Sequence, residues 1–155
     1  MMKDCIINRD ALLALRELPD ESVHCCVTSP PYYALRDYGL DAQIGQEETP
    51  EQYIEKLVCV FRELRRVLRS DGTFWLNIAD TYCGTGSKGI YRDPRNPNGR
   101  NGQAFALNSR VSGCKQKDLI GIPWMLAFAL RSDGWYLRSD IICLLYTSPS
   151  PRDRT

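Results

Sequence analysis

An amphipathic helix set between two β-rich runs is the feature that most limits how this sequence can fold. Thr49 stands at a helix cap, Pro50 at the first helical position, and Gln52 three residues after the cap, as in a capping box. Ile54, Leu57, Val58, Phe61, Leu64 and Leu68 then recur at helical spacing, so one face of the helix must be buried. Upstream, Val23–Thr28 is a short β-rich run stopped by Ser29-Pro30-Pro31. Downstream, Ser70-Asp71-Gly72 ends the helix and Thr73–Ala79 reads as an aromatic strand. Two strands joined through a helix pack as neighbours of a parallel sheet, which predicts an α/β domain.

The flanking sequence extends the alternation. Residues 4–8 (Asp-Cys-Ile-Ile-Asn) read as a short strand, and Asp10 can cap a helix over Ala11–Leu18. Pro123–Leu130 reads as a buried helix and Trp135–Ile142 as a further strand. The pentapeptide Leu-Arg-Ser-Asp-Gly occurs at both expected helix-to-strand turns, 68–72 and 130–134.

Composition narrows the class. With 43% apolar and 25% charged residues, the 155-residue chain has enough apolar surface for one core and is not disordered throughout. No apolar run approaches the roughly 18 residues of a membrane span, and the first residues do not read as a signal peptide. A cytoplasmic protein without a membrane association is expected. Seven cysteines, an odd number with no Cys-x-x-Cys pair and a single histidine (His24), point to neither a zinc site nor a disulfide framework.

Residues 83–116 form a long insert rich in Gly, Asn and Arg, read as flexible. Its basic residues are Lys88, Arg92, Arg95, Arg100, Arg110 and Lys115, against the single acid Asp93. A net charge of +1 therefore conceals a basic segment suited to phosphate contacts. Gly84-Thr85-Gly86-Ser87-Lys88-Gly89 fits G-x-G-x-x-G, but no helix pattern follows it, so it is read as loop. From about Cys143 the chain resembles translated sequencing-library adapter, so 143–155 is expected to be non-native, leaving 1–142 as the authentic part.

The chemistry centres on Thr28-Ser29-Pro30-Pro31-Tyr32, where a buried strand ends. Ligands of open α/β sheets bind at the carboxyl ends of strands. A polar-Pro-Pro-aromatic tetrapeptide arises by chance in on the order of 1% or fewer of chains this size. Here the sequence resembles the amino-group DNA methyltransferases, whose signature is [Ser/Asn/Asp]-Pro-Pro-[Tyr/Phe]. The likeness also takes in Leu18-Pro19-Asp20-Glu21-Ser22-Val23, Leu35-Arg36-Asp37-Tyr38-Gly39, Gly72-Thr73-Phe74-Trp75-Leu76-Asn77, Lys117–Trp124 and Gly134–Ile142.

The resemblance implies a partial Rossmann-like, class I methyltransferase sheet, with the catalytic half first and the basic insert within it. It implies S-adenosylmethionine as cofactor, double-stranded DNA as substrate, and a cognate restriction endonuclease as a plausible companion. An exocyclic amino group is a poor nucleophile because its lone pair is delocalised into the ring. Acceptors aimed at its two hydrogens favour the tetrahedral nitrogen needed for attack on a methyl sulfonium. The Ser29 side chain and the Pro30 carbonyl can be those acceptors, Pro31 stiffens them, and Tyr32 can stack on a flipped base for roughly 1–3 kcal/mol. Ser29 favours cytosine N4 over adenine N6 as target. Asp10 occupies the place of an acid that the family sets beside the cofactor. Asn77 and Asp80 end a strand and read either as turn caps or as pocket residues.

The family's main cofactor loop, aromatic-x-Gly-x-Gly after a strand of the second half, does not follow Trp135–Ile142 here, so the chain alone is expected to be inactive. A non-catalytic DNA-binding module, and a methyltransferase for RNA or a glutamine amide, remain as alternative readings.

Overall fold

The computed structural model describes residues 4–40, 42–84 and 111–142. Five elements run in the order α1 (Ala11–Arg16), β1 (Val23–Thr28), α2 (Pro50–Val67), β2 (Leu68–Leu76) and α3 (Ile122–Ser132). β1 and β2 pair in parallel, with Cys26 opposite Phe74 and Thr28 opposite Leu76. The β1–α2–β2 unit is thus the parallel crossover expected of a Rossmann-like α/β sheet, present here in part.

α2 is the organising element. Pro50, Tyr53, Ile54, Leu57, Phe61, Leu64 and Val67 bury one face of it. They meet Ile122, Leu126 and Leu130 of α3, while Leu15 and Leu18 close the core from the α1 side. Phe61 packs on Phe74 with ring centroids 4.9 Å apart, and Phe74 on Trp135 at 5.1 Å. The opposite edge of α2 carries arginines that hold its neighbours. Arg66 donates to the carbonyls of Leu15 and Leu18 and pairs with Asp20, while Arg62 and Arg65 bind the side chain and carbonyl of Asp133.

The Thr49 cap forms, its Oγ1 accepting from the Gln52 amide at 3.3 Å, but the Gln52 side chain returns no bond to Thr49. Half of the expected capping box is therefore made. Thr49→Ala is expected to cost about 1 kcal/mol, read as a lower urea midpoint at unchanged slope; an unmoved midpoint would show the cap to be idle.

Three expectations from sequence need correction. Residues 4–8 and 135–142 are not strands. Their β propensity is no substitute for a ladder, and no described strand pairs with either. Ile6 is 97% exposed and Tyr136 87%. The turn at 68–72 is instead the start of β2. The ladder pairs Val23 with Leu68 and next Cys25 with Thr73, so Arg69–Gly72 form an irregularity within the strand, opposite His24. The second copy of the pentapeptide does end a helix, with Asp133 at the cap of α3 and Gly134 at φ +96°. The helices lie against one sheet face, and on the other Val27 and Trp75 are exposed.

Candidate active site

β1 ends at Thr28, and Ser29-Pro30-Pro31-Tyr32 leaves directly from its carboxyl end. The Thr28 carbonyl accepts from the Asn77 amide at 2.9 Å, so the segment after β2 departs from the same edge. Ser29 is exposed, and Pro30, Pro31 and Tyr32 are half-buried. Among the described residues no hydrogen bond engages Ser29 Oγ or the Pro30 carbonyl, the two acceptors singled out from sequence.

The carbonyls that follow are held. Pro31 O accepts from Tyr53 Oη of α2 at 2.8 Å, and Tyr33 O accepts from Thr81 Oγ1 at 2.8 Å. Between them, the Tyr32 carbonyl faces Gly45 so closely that a Cβ there would sit 2.9 Å from its oxygen. Gly45 is at φ +101°, a conformation that favours glycine, and its carbonyl accepts from the Ala34 amide at 2.8 Å. Glu47 orders this wall from beneath. Its buried carboxylate accepts from the Gly45 amide at 2.8 Å, and Lys56 Nζ lies 2.9 Å away as a charge contact rather than a directed hydrogen bond. The Tyr33 and Tyr53 rings stack at 5.5 Å behind the loop. Burial, with Glu51 and Glu47 nearby, pushes the Tyr33 phenol up to about 12. Burial also raises the Tyr53 phenol well above its ordinary range, with Glu47 and Tyr32 adding to the effect. Both hydroxyls therefore stay protonated and can act as donors at neutral pH.

Asp80 belongs to the framework. Gly121 at the cap of α3 has no side chain to offer, and the Asp80 carboxylate accepts instead from the amides of Gly121 and Ile122, each at 3.0 Å, and from Thr81 at 2.8 Å. Of the two readings from sequence, capping is the one seen. Asn77 contributes its amide to Thr28. Asp10 caps α1, accepting from the Leu13 amide at 3.0 Å, and is exposed. His24 is exposed on β1; the Arg69 guanidinium, bonded to Asp71, holds that carboxyl below its usual range.

Next to Thr81, the two stems of the insert are laced together. Tyr82 and Leu119 form an antiparallel bridge, Cys83 N donates to Asp118 O at 2.7 Å, and Lys117 N donates to Cys83 O at 2.9 Å. Lys115 is exposed beside these stems, its amide bonded to Asp118. Lys88, Arg92, Arg95, Arg100 and Arg110, most of the G-x-G-x-x-G segment and the 143–155 tail lie outside the described residues. Among the described residues the six cysteines are free, no cluster of His, Cys, Asp and Glu is placed to hold a metal ion, and no helix is long and apolar enough to cross a membrane.

Tyr53, Gly45, Glu47 and Thr81 were not singled out from sequence. Tyr53 carries a signal in hindsight, since it lies four residues before Leu57 on the buried face of α2. Gly45, Glu47 and Thr81 carry none: Glu47 bonds Gly45 only two residues away, but Gly45 meets Tyr32 and Ala34, and Thr81 meets Tyr33, across longer stretches of chain.

A parallel α/β unit with a Ser-Pro-Pro-Tyr loop at the end of a strand places the chain among partial Rossmann-like domains, a class in which ligands bind at strand termini. Comparison with known families gives the group within that class. A DNA methylase family profile matches residues 23–153, and the chain belongs to that family. Among curated relatives, the Type II methyltransferase M.Cfr9I of Citrobacter freundii is 55% identical over 133 residues, covering 86% of this chain and 43% of the relative. M.XycI of Xanthomonas campestris pv. cyanopsidis matches to the same extent. M.SmaI of Serratia marcescens is 49% identical over 143 residues, 91% of this chain and 48% of the relative. The chain thus spans less than half the length of these relatives. A candidate DNA modification methylase from Thermus thermophilus, solved in complex with S-adenosyl-L-methionine, is similar with a TM-score of 0.38 and 24% identity, over 70% of this chain and 56% of that one.

Proposed function

We propose that this chain carries the base-binding, catalytic half of an S-adenosylmethionine-dependent DNA methyltransferase that modifies the exocyclic N4 of cytosine. The carrying observation is the loop geometry. Among the described residues no hydrogen bond engages Ser29 Oγ or the Pro30 carbonyl at the carboxyl end of β1, while the carbonyls of Pro31 and Tyr33 are tied to the framework. A flipped base stacked on Tyr32 would offer its amino hydrogens to those two acceptors, which favours a tetrahedral nitrogen with a localised lone pair and stabilises the positive charge that develops there during attack. Methyl transfer then depends chiefly on position, which a rigid loop supplies.

S-adenosylmethionine would supply the electrophilic methyl group. The residue of this chain proposed to stand towards it is Asp10, whose carboxylate already caps α1. The only aromatic-x-Gly-x-Gly stretch, Tyr82-Cys83-Gly84-Thr85-Gly86, opens the basic insert and no such segment follows residue 134, so the fit to the cofactor is partial and no step is assigned through it. Lys115 and the basic insert would contact DNA phosphates, and the cytoplasm is the expected place of action. A cognate restriction endonuclease fits the kind of relative found and stays a proposal. Residues 1–142 form the catalytic unit of this reading, with 143–155 outside it.

Nucleoside analysis tests the assignment. Plasmid DNA from a host free of DNA methylation, expressing the source gene, should contain N4-methyl-2′-deoxycytidine after hydrolysis. N6-methyl-2′-deoxyadenosine in its place would move the target to adenine, and absence of both would favour a non-catalytic DNA-binding module. The 155-residue chain by itself is expected to give no turnover.

A further inference from the structure

The Pro30 carbonyl can serve as an acceptor only if its direction is fixed relative to Tyr32, on which the base would stack. Two backbone torsions at Pro31 separate that carbonyl from the next peptide plane. The pyrrolidine ring locks φ. That leaves ψ, which sets the direction of the Pro31 carbonyl. This oxygen accepts from Tyr53 Oη at 2.8 Å, and Tyr53 is 0% exposed in the middle of the helix core. Its ring is held in turn against Tyr33 at 5.5 Å.

We propose that Tyr53 is a positioning residue, whose hydroxyl fixes the remaining torsion of Pro31 and so aims the Pro30 carbonyl at the amino group of a base stacked on Tyr32. The inference rests on the reading of this loop as the base pocket. Tyr53 touches no substrate and acts only through the Pro31 carbonyl. The neighbouring Tyr33 provides a matched comparison, because its hydroxyl donates to Glu48 O at 3.3 Å rather than to the loop.

The test measures recognition of the amino group by binding. Two duplex oligonucleotides are compared by fluorescence anisotropy against this chain. One carries a single cytosine opposite an abasic site; the other carries 2-pyrimidinone, which is cytosine without its amino group, in the same place. An unpaired base costs least to extrude, so both probes favour the flipped state. The wild-type chain should prefer cytosine by about tenfold, as expected for one or two net hydrogen bonds. Tyr53→Phe should lower that preference to about twofold while leaving affinity for the 2-pyrimidinone duplex unchanged. Tyr33→Phe should keep it near tenfold, and both variants should melt cooperatively.

A Tyr53→Phe chain that keeps the full preference would overturn the positioning role. So would an equal loss in Tyr33→Phe, which would mean general loosening of the tyrosine pair. Loss of cooperative melting in Tyr53→Phe would make the hydroxyl a requirement of folding and would equally remove the proposal. A wild-type chain with no preference for cytosine would instead sink the base-pocket reading on which it rests.

Discussion

Asp80→Ala should destabilise the fold by about 3 kcal/mol, because backbone amides gathered on one carboxylate lose their acceptor together. The amides of Gly121, Ile122 and Thr81 all point at Asp80, and Ile122 is fully buried, so water does not readily replace what is lost. The favourable interaction of an anion with the N-terminus of α3 disappears as well. For a chain of this size the loss corresponds to a melting temperature lower by roughly 10 °C. Asp80→Asn keeps the oxygen that the three amides share but loses the charge and turns the second oxygen, near the Gly121 amide, into an amino group, so about 1 kcal/mol is expected there. Urea titration of both variants distinguishes these values. If Asp80→Ala matched wild type within experimental error, the α3 cap would not contribute to the fold.

For Ser29→Ala the expected result is the reverse: intact stability and lost chemistry. Ser29 is exposed and makes no hydrogen bond among the described residues, so the unfolding midpoint should not move. On the proposed reading, its oxygen is one of two acceptors for the amino group. Removing one preorganised electrostatic partner of a transition state commonly costs a factor of about 10² to 10³ in kcat. Methylation by the product of the source gene should fall by that factor, with little change in KM for DNA. A variant that retained more than half of the wild-type rate would remove Ser29 from the mechanism.

How far the sequence could be read depended on the range of the interactions involved. β1 and the start of α2 were legible to the residue, because a capping threonine, a proline at the first helical position and a run stopped by Ser-Pro-Pro are local signals. The same reasoning failed at 4–8 and 135–142. A strand exists only by pairing, and an apolar run says nothing about whether a partner strand lies beside it. It also treated Arg69–Gly72 as a turn between elements, where the β1–β2 register carries those residues inside β2 as an irregularity.

The site divides along the same line. Ser29, Pro30, Pro31 and Tyr32 stand out as candidates because the proposed chemistry needs four consecutive residue types, and proline's locked φ is a property of the residue itself. What holds them is not local. Tyr53 reaches Pro31 across 22 positions, Thr81 reaches Tyr33 across 48, and Asp80 reaches Gly121 across 41. Each of these depends on a hydrogen bond whose geometry arises only when α2, β2 and α3 are packed. The sequence by itself determined the α/β class, the central helix and the place of the Ser-Pro-Pro-Tyr loop at a strand end, because periodicity, capping and proline stereochemistry act over a few residues. Tertiary structure alone decided that Asp80 is a cap, that Gly45 and Glu47 form the wall behind Tyr32, and that the buried Tyr53 hydroxyl holds the Pro31 carbonyl, because directional bonds between distant residues cannot be deduced from their separation along the chain.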